Sequence, residues 1–357
     1  LHLLRRLFTN ANHSQLLKEP FMRRFMTIAT ILISIALPFA LMAQEATPEL
    51  NLYSSSKEHL VRPILDALTQ ESGIKVNVTT LNGAAMVARL SLEGADSPAD
   101  AVIVADVANL HKLNDKAVLS GFESDEVEAN IPAILRAENN AWIGVAMRSR
   151  IVYKRKDDDA AVATYAELAE PKWAGQLLVR SSENPYNQSL LADLIARDGR
   201  EAALAWAKGI VANMARKPQG GDRDQIRALA SGQGRLAIAN SYYFAQMLVG
   251  KDASDKALAE TLQPIFPQDA HVNIRGAGIT KASKNKEAAK QLMVFLTQET
   301  AQTMFTNINQ EYPANPSIAP SETLQRFGFT PKPKTPLSVI GAGNAQALEV
   351  FSEAGWQ

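Results

Sequence analysis

Two tyrosines stand side by side, Tyr242 and Tyr243, in the run "GRLAIANSYYFAQML", and a third, Tyr186, follows Pro185 in "SSENPYNQSLL". In both places a short apolar run gives way to small polar residues and then to a helical pattern. Asn240 or Ser241 is the expected N-cap of the first helix, and a proline in the first turn marks the start of the second. Neighbouring helical side chains diverge by about 100 degrees. Adjacent tyrosines can therefore address one object only at the very start of a helix, where they straddle a point beyond its end. Unpaired N–H groups at helix N-termini attract anionic groups, and α/β folds build their sites where strands end and helices begin.

Three phenols aimed from two such turns at one cleft could bind a hard trivalent cation, above all Fe(III). A bound cation allows a phenol that titrates near ~10 in water to act as phenolate at neutral pH, and anionic oxygen suits hard metals. Ordinary packing, with the ring buried and the hydroxyl wet, is the common alternative for each tyrosine. Tyr53, Tyr153, Tyr165 and Tyr312 lack a helix-start setting and read as structural.

The rest of the composition narrows the chemistry. The sequence has no cysteine, which removes disulfides, thiolate metal sites and cysteine nucleophiles. His59, His111 and His271 show no metal-ligand spacing, so a zinc site is not expected. "GQGRLA" runs from helix into strand and "GAGNAQ" lies too near the C-terminus for a βαβ unit, so neither is a dinucleotide fingerprint. No G-x-S-x-G elbow appears. A secreted enzyme working through Asp106 and Glu183 is one alternative, and it would require paired carboxylates.

From Met22 the chain reads "MRRFMTIATILISIALPFALMA", with a basic start, an apolar stretch from about Ile28 to Leu41 and a small-residue exit at Ala43. That pattern is an export signal, too short and too poorly flanked for a membrane anchor. No cysteine stands at the exit site, which argues against a lipid anchor. Residues 1–21 read as upstream translated sequence or a misplaced start. The leader carries basic residues, so the 37 basic and 37 acidic residues of the whole chain resolve into a mildly acidic mature protein. Nothing in that balance asks for nucleic acid. Export predicts a periplasmic location.

The elements that must position the tyrosines alternate from end to end. "ELNLYSS", "IKVNVTT", "ADAVIVA", "RSRIVYKR", "QLLVRS", "RLAIAN" and "HVNIRGAGIT" read as strands. Amphipathic stretches such as "HLVRPILDALTQES", "TYAELAEPKWAG", "NQSLLADLIARDG" and "REAALAWAKGIVANM" read as helices between them. A chain of this size suggests an α/β fold of two lobes, each a mixed sheet flanked by helices, with ligand in the cleft between them. The strands around "AMRSRIV" and "HVNIRGAG" are the candidates for the hinge crossings. The expected partition is a signal at 22–43, a first lobe at 44–148 and 273–320, a second at 149–272, and a helical segment at 321–357 that periodicity assigns to neither.

The segments "SSENPYNQSL", "GGDRDQIRALASGQGRLAIANSYYFAQML", "HVNIRGAGITKASKNKEAAKQLMVFL" and "EYPANP" together resemble the periplasmic ferric-iron-binding proteins of ABC importers, of the FbpA and FutA type. The double tyrosine after an "IAN" strand is the feature specific to that family. The resemblance implies the two-lobed type II binding-protein fold and Fe(III) as cargo. It implies iron ligation by Tyr242 and Tyr243, with Tyr186 matching an additional tyrosine of the FutA-like branch. It also implies a monomer that serves an inner-membrane ABC permease, with no catalysis.

One departure stands out. Where many relatives end the opening strand in an Arg-His-Tyr or His-Lys-Glu run, this chain reads "YSSSKEHL", and Ser56, Lys57 and Glu58 fall on the Arg, His and Tyr positions. Glu58 is the weak candidate for a first-lobe ligand and His59 a weaker one. Open coordination positions would be filled by water or a small anion such as carbonate. Arg148, Ser182 and Asn240 form the candidate seat for that anion, because a guanidinium fork suits a carboxylate-like oxyanion. The same fold binding a small anion or other non-iron ligand is the remaining alternative.

Overall fold

The computed structural model of the protein describes residues 48–357. The expected upstream stretch at 1–21 and the expected export signal at 22–43 lie outside the described residues.

In chain order the elements begin with β1 (Glu49–Ser54), α1 (Glu58–Ser72), β2 (Lys75–Thr80), α2 (Gly83–Glu93), β3 (Ala101–Ala105), α3 (Val107–Asp115), β4 (Leu119–Ser120) and α4 (Asp125–Asn130). Then come β5 (Ile143–Arg155), β6 (Leu177–Leu178), α5 (Pro185–Asp198), α6 (Arg200–Asn213), α7 (Asp222–Ala230), β7 (Leu236–Asn240), α8 (Ser241–Val249) and α9 (Ala253–Ala259). The chain closes with β8 (Leu262–Ile265), β9 (His271–Thr280), α10 (Lys286–Thr297), α11 (Glu299–Asn309), β10 (Tyr312–Pro313), α12 (Glu322–Gln325), α13 (Leu337–Ala342) and α14 (Asn344–Ala354). No helix among the described residues is long and apolar enough to cross a membrane.

The strands join in the order β2-β1-β3-β9-β5-β7-β6, with β4, β8 and β10 as side branches. β1 runs parallel to β2 and β3, as the intervening helical crossovers require. Two long strands hold the halves of this sheet together. The later residues of β9, Arg275 to Ile279, pair with β3, while its earlier residues, from His271, pair with β5. β5 in turn pairs with β9 through Arg150 and with β7 from Arg150 to Tyr153. β5 and β9 contain the segments "AMRSRIV" and "HVNIRGAG", and β9 is buried along its whole length. A strand covered on both faces reads as a continuous small and apolar run, which explains "GAGIT".

Side-chain spacing explains the helices. In α1, Val61, Ile64, Leu65 and Leu68 are buried at helical spacing, and Gly73 ends the helix in the left-handed region at φ 75. These residues join β1 and helices α10 and α11 in one core, while Ile226, Leu229, Phe244 and Met247 pack α7 and α8 on β7 in another. α13 packs against α3 and α5, and α14 against α5 and α6, so the C-terminal segment touches elements before and after β5.

The expected helix at "TYAELAEPKWAG" is instead two short 3-10 turns, Ala166–Ala169 and Pro171–Trp173. Glu170, ahead of Pro171, is extended at φ -68 and ψ 141, the conformation that the proline ring imposes on its predecessor. "QLLVRS" contributes a strand only at Leu177–Leu178. The tail of that run goes to the turn that launches α5.

Candidate metal centre

The three tyrosines meet. β7 ends at Asn240 and α8 begins at Ser241, which puts Tyr242 and Tyr243 in its first turn. Their rings lie 4.1 Å apart at 34 degrees, so the two side chains pack side by side instead of diverging. α5 starts with Pro185 as its first residue and Asn184 as its cap, the Asn184 side chain accepting from the Asn187 N–H. Tyr186 follows at once, and the Tyr242 hydroxyl donates to the Tyr186 hydroxyl at 3.3 Å.

The phenols are held in a low-dielectric setting. Tyr242 is 8 % exposed, whereas Tyr243 and Tyr186 are half-buried. Burial pushes the Tyr242 phenol well above its ordinary range, the other two phenols add to this, and Arg148 pulls it back down. Burial is also the first cause that raises Tyr243. In the absence of a cation burial favours the protonated form of Tyr242 and Tyr243. A trivalent cation reverses that balance, because it stabilises the phenolate form directly.

Four arginines surround them. The guanidiniums of Arg148, Arg180 and Arg150 lie 5.3, 5.9 and 6.0 Å from the centre of the Tyr186 ring. Arg150 is fixed by Asp222 at 3.1 Å, by the Asn187 side chain at 3.0 Å and by the Asn240 side chain at 3.1 Å. The Asn240 N–H donates to Asp222 at 3.1 Å, so this buried pair also sets the backbone from which α8 starts. Arg148 is different. It is 1 % exposed, its closest carboxylate oxygen is that of Glu311 at 3.6 Å, and none of its three guanidinium nitrogens has a hydrogen-bond partner. A buried guanidinium without hydrogen bonds is costly, and such a group calls for an anion.

Facing them, Arg275 on β9 donates from Nε to Glu311 at 2.7 Å and from Nη1 to the Ser56 hydroxyl. Glu311 thus lies between two arginines. A further buried group links the halves of the sheet. Asp106 caps α3 from a positive φ of 81, accepts from Ser189 on α5 at 2.6 Å and from Asn273 on β9 at 3.0 Å. Burial raises its carboxyl above the usual range, against the pull of Arg148.

The remaining candidates from the sequence fall in distinct places. Asn240 makes no side-chain cap, since its carbonyl oxygen Oδ1 serves Arg150 while its Nδ2 has no partner. Ser182 is half-buried, and its backbone N–H is spent on the Gln357 carbonyl at 3.2 Å. Glu58 sits in the first turn of α1 with its side chain 58 % exposed, and it pairs with Arg62 at 2.9 Å. His59 is exposed as well. Asp106 is enclosed and spent on structural bonds while Glu183 is exposed, so the two show none of the pairing that carboxylate catalysis needs. No group of three or more His, Cys, Asp or Glu side chains that could hold a metal ion occurs among the described residues. Arg150, Arg180, Arg275, Glu311 and Ser56 are not legible in the sequence as site residues. The register of β5 and β9 brings Arg150 and Arg275 to the tyrosines, while Ser56, Arg180 and Glu311 come from the segments after β1, before α5 and before β10.

Residues 64–328 match the family described as bacterial extracellular solute-binding protein. The chain is 38% identical to iron uptake protein A1 of Synechocystis over 315 residues, which covers 87% of this chain and 88% of that protein. Among solved structures it is similar to a Trichodesmium FutA protein in complex with iron and citrate, at a TM-score of 0.83 and 36% identity over 87% of this chain and 100% of that one. A ferric binding protein from Campylobacter jejuni gives a TM-score of 0.82 and 35% identity, with 86% of this chain and 100% of that one covered. The architecture is accordingly the mixed α/β fold of periplasmic binding proteins, and the chain belongs to the bacterial extracellular solute-binding protein family.

Proposed function

We propose that the protein is the periplasmic ferric-ion-binding component of an ABC importer, which takes up Fe(III) through the phenolates of Tyr186, Tyr242 and Tyr243 and passes it to an inner-membrane permease. The observation that carries this reading is the meeting of three phenols from two helix starts, with Tyr186 and Tyr242 hydroxyls 3.3 Å apart in a buried setting. Relatives named for iron uptake and ferric binding, over nearly the whole chain, support the same cargo. An accompanying oxyanion such as carbonate sits against Arg148, whose unpartnered nitrogens supply the strongest argument for it, with Asn240 Nδ2 as a second free donor. Ser182 contributes from the turn before α5.

Closure is the step that encloses the ion. Residues 44–148 and 273–320 form one lobe and 149–272 the other, hinged at β5 and β9, and the working unit is a monomer. Opening exposes the phenols to the ion, and closing desolvates them while presenting the permease with a different surface. The chemistry is coordination and proton release, without turnover.

The test is colour. Phenolate-to-iron charge transfer absorbs visible light, so the purified chain should colour on addition of ferric citrate. Each of Tyr186→Phe, Tyr242→Phe and Tyr243→Phe should weaken loading by more than about a hundredfold, since even outer-shell partners of metal ligands are worth roughly 10–100-fold. Uptake unchanged in all three variants removes the site. Arg148 favours one second reading, an anion alone as cargo in the same fold. An anion that protects the chain from unfolding, with no colour from any ferric source, would decide for it.

A further inference from the structure

The turn that launches Tyr186 is held from behind. It runs from β6 to α5, and Arg180, Ser181 and Ser182 belong to no strand or helix. Their carbonyls still need donors, and side chains supply them. Asn187 Nδ2 donates to the Arg180 carbonyl at 2.9 Å and to that of Ser181 at 3.1 Å, and Gln188 Nε2 donates to Ser182 at 2.9 Å. Those two side chains belong to α5 itself. A third donor comes from beyond α14: the Trp356 indole Nε1 reaches the Arg180 carbonyl at 2.9 Å.

Trp356 is placed by its own neighbourhood. Gly355 ends α14 in the left-handed region at φ 73, which turns the chain back so that the Trp356 N–H bonds the Phe351 carbonyl at 3.0 Å. The indole is 4 % exposed, edge-on to Phe351 with ring centres 5.0 Å apart and tilted against Trp206 at 6.0 Å. The other end of α14 reaches the same turn, because Asn344 Nδ2 donates at 3.1 Å to Gln188 Oε1, on the side chain that holds Ser182. One helix thus fastens the turn at two points. Any large ring could fill the indole's apolar seat, but only its N–H reaches the backbone of Arg180, whose guanidinium lies 5.9 Å from the Tyr186 ring.

Resting on the ferric reading above, we propose that Trp356 is a positioning residue for metal binding: its indole N–H, backed by Asn344, locks the turn that carries Tyr186 and so fixes the third phenol against Tyr242 and Tyr243. The α8 phenols need no such brace, since the strand-to-helix turn before them is held by Asp222. Tyr186 follows a longer irregular turn, and movement there would spread its hydroxyl away from the other two. Groups that orient a metal ligand from behind contribute to retention of the ion without touching it.

The experiment is a double-mutant cycle on the chain loaded from ferric citrate. Trp356→Phe keeps a ring in place and removes the N–H alone. Iron loss to an excess of a hydroxamate chelator should quicken roughly threefold to tenfold, the worth of one hydrogen bond, and the phenolate band should move in the direction in which Tyr186→Phe moves it. Beside Tyr186→Phe the same change should add nothing, whereas beside Tyr243→Phe it should keep its full factor, because residues that act through one another couple and independent ones add. Asn344→Ala should show the same pattern at about two- to threefold. In the metal-free chain, amide hydrogen exchange over residues 180–188 should speed up in Trp356→Phe while that of α8 stays as it is. A factor that persists beside Tyr186→Phe, or exchange over 180–188 that does not move, overturns the proposal and leaves the ferric reading standing. A wild-type chain that takes no colour from any ferric source removes the ferric reading and the metal role of Trp356 with it, even where exchange still reports the turn as held.

Discussion

The two sides of the site are made by opposite means. On one side, two helix starts deliver phenols, and each is fixed by local chemistry: Pro185 and the Asn184 cap for α5, the β7-to-α8 turn for Tyr242 and Tyr243. On the other side no helix start contributes. Arg148, Arg275 and Glu311 arrive from β5, β9 and the residue before β10, so their meeting depends on strand register across the sheet. Donors that must lose a proton stand opposite groups that keep theirs. On the ferric reading proposed above, the phenol side supplies affinity for the ion and the arginine side a seat for the anion that accompanies it.

The sharpest way to test that division is pH. Burial holds Tyr242 and Tyr243 above the ordinary phenol range, so ligation displaces protons. Metal binding that releases protons strengthens as pH rises and weakens as pH falls. Ferric affinity, corrected for the competing chelator, should gain up to about three decades per pH unit if all three phenols ionise on binding. Tyr242→Phe should lower that slope by about one proton. The arginines keep their charge throughout, so Arg275→Gln should weaken retention without changing the slope. A slope near zero in the wild-type chain would mean that the phenols are not the ligands.

A nearly equal effect is expected on stability from the scaffold beneath the phenols. Asp222, fully enclosed, holds Arg150 and the Asn240 N–H. Removing one partner of a buried pair typically costs about 3–5 kcal/mol, because it leaves the other charge uncompensated. Asp222→Ala should lower the midpoint of chemical unfolding accordingly and blur the start of α8. A chain unaltered in stability would show that the network around Tyr243 does not share load in the way its distances imply.

A smaller effect tests the link between the two sides. Ser189 lies one turn after Tyr186 and donates to Asp106 across the sheet at 2.6 Å. Ser189→Ala should cost about 1–3 kcal/mol, since it leaves a buried carboxylate one donor short. It should also loosen α5 enough to speed iron loss several-fold. If stability falls while iron loss does not change, the bond is structural alone.

How much of this is legible in the sequence follows from the same contrast. The tyrosines, the caps and the strands β5 and β9 can be read because their signals are local: a proline in a first turn, an apolar strand before a polar cap, a run of small buried residues. Tyr165 and Tyr153 do not join the three phenols: their hydroxyls donate to the backbone carbonyls of Arg150 and Asn240. Arg275 and Glu311 carry no such local mark. The sequence does not single out the arginine within "HVNIRGAG", and only the pairing of β3 and β5 on either side shows that it is enclosed. The helix expected at "TYAELAEPKWAG" fails for a local reason that is present in the sequence, the proline at Pro171, whose effect on Glu170 outweighs a good apolar period.

Glu58 gives the smallest expected effect and the cleanest break between the two sides. Its position after β1 makes it a candidate first-half ligand, yet the carboxylate points along α1 to Arg62, four residues on and 2.9 Å away. An exposed pair at that spacing is worth about 0.3–0.5 kcal/mol. Glu58→Gln should therefore shift stability by no more than about that amount and leave the ferric band and the rate of iron loss as they are. The variant separates two ways in which the first half could act. If Arg275 is its contribution, losing Glu58 changes nothing at the metal. A loss of iron retention in Glu58→Gln as large as that in Arg275→Gln would mean instead that β1 and α1 move on loading and carry a carboxylate to the ion, and the arginine side would have to be read around a fourth oxygen donor.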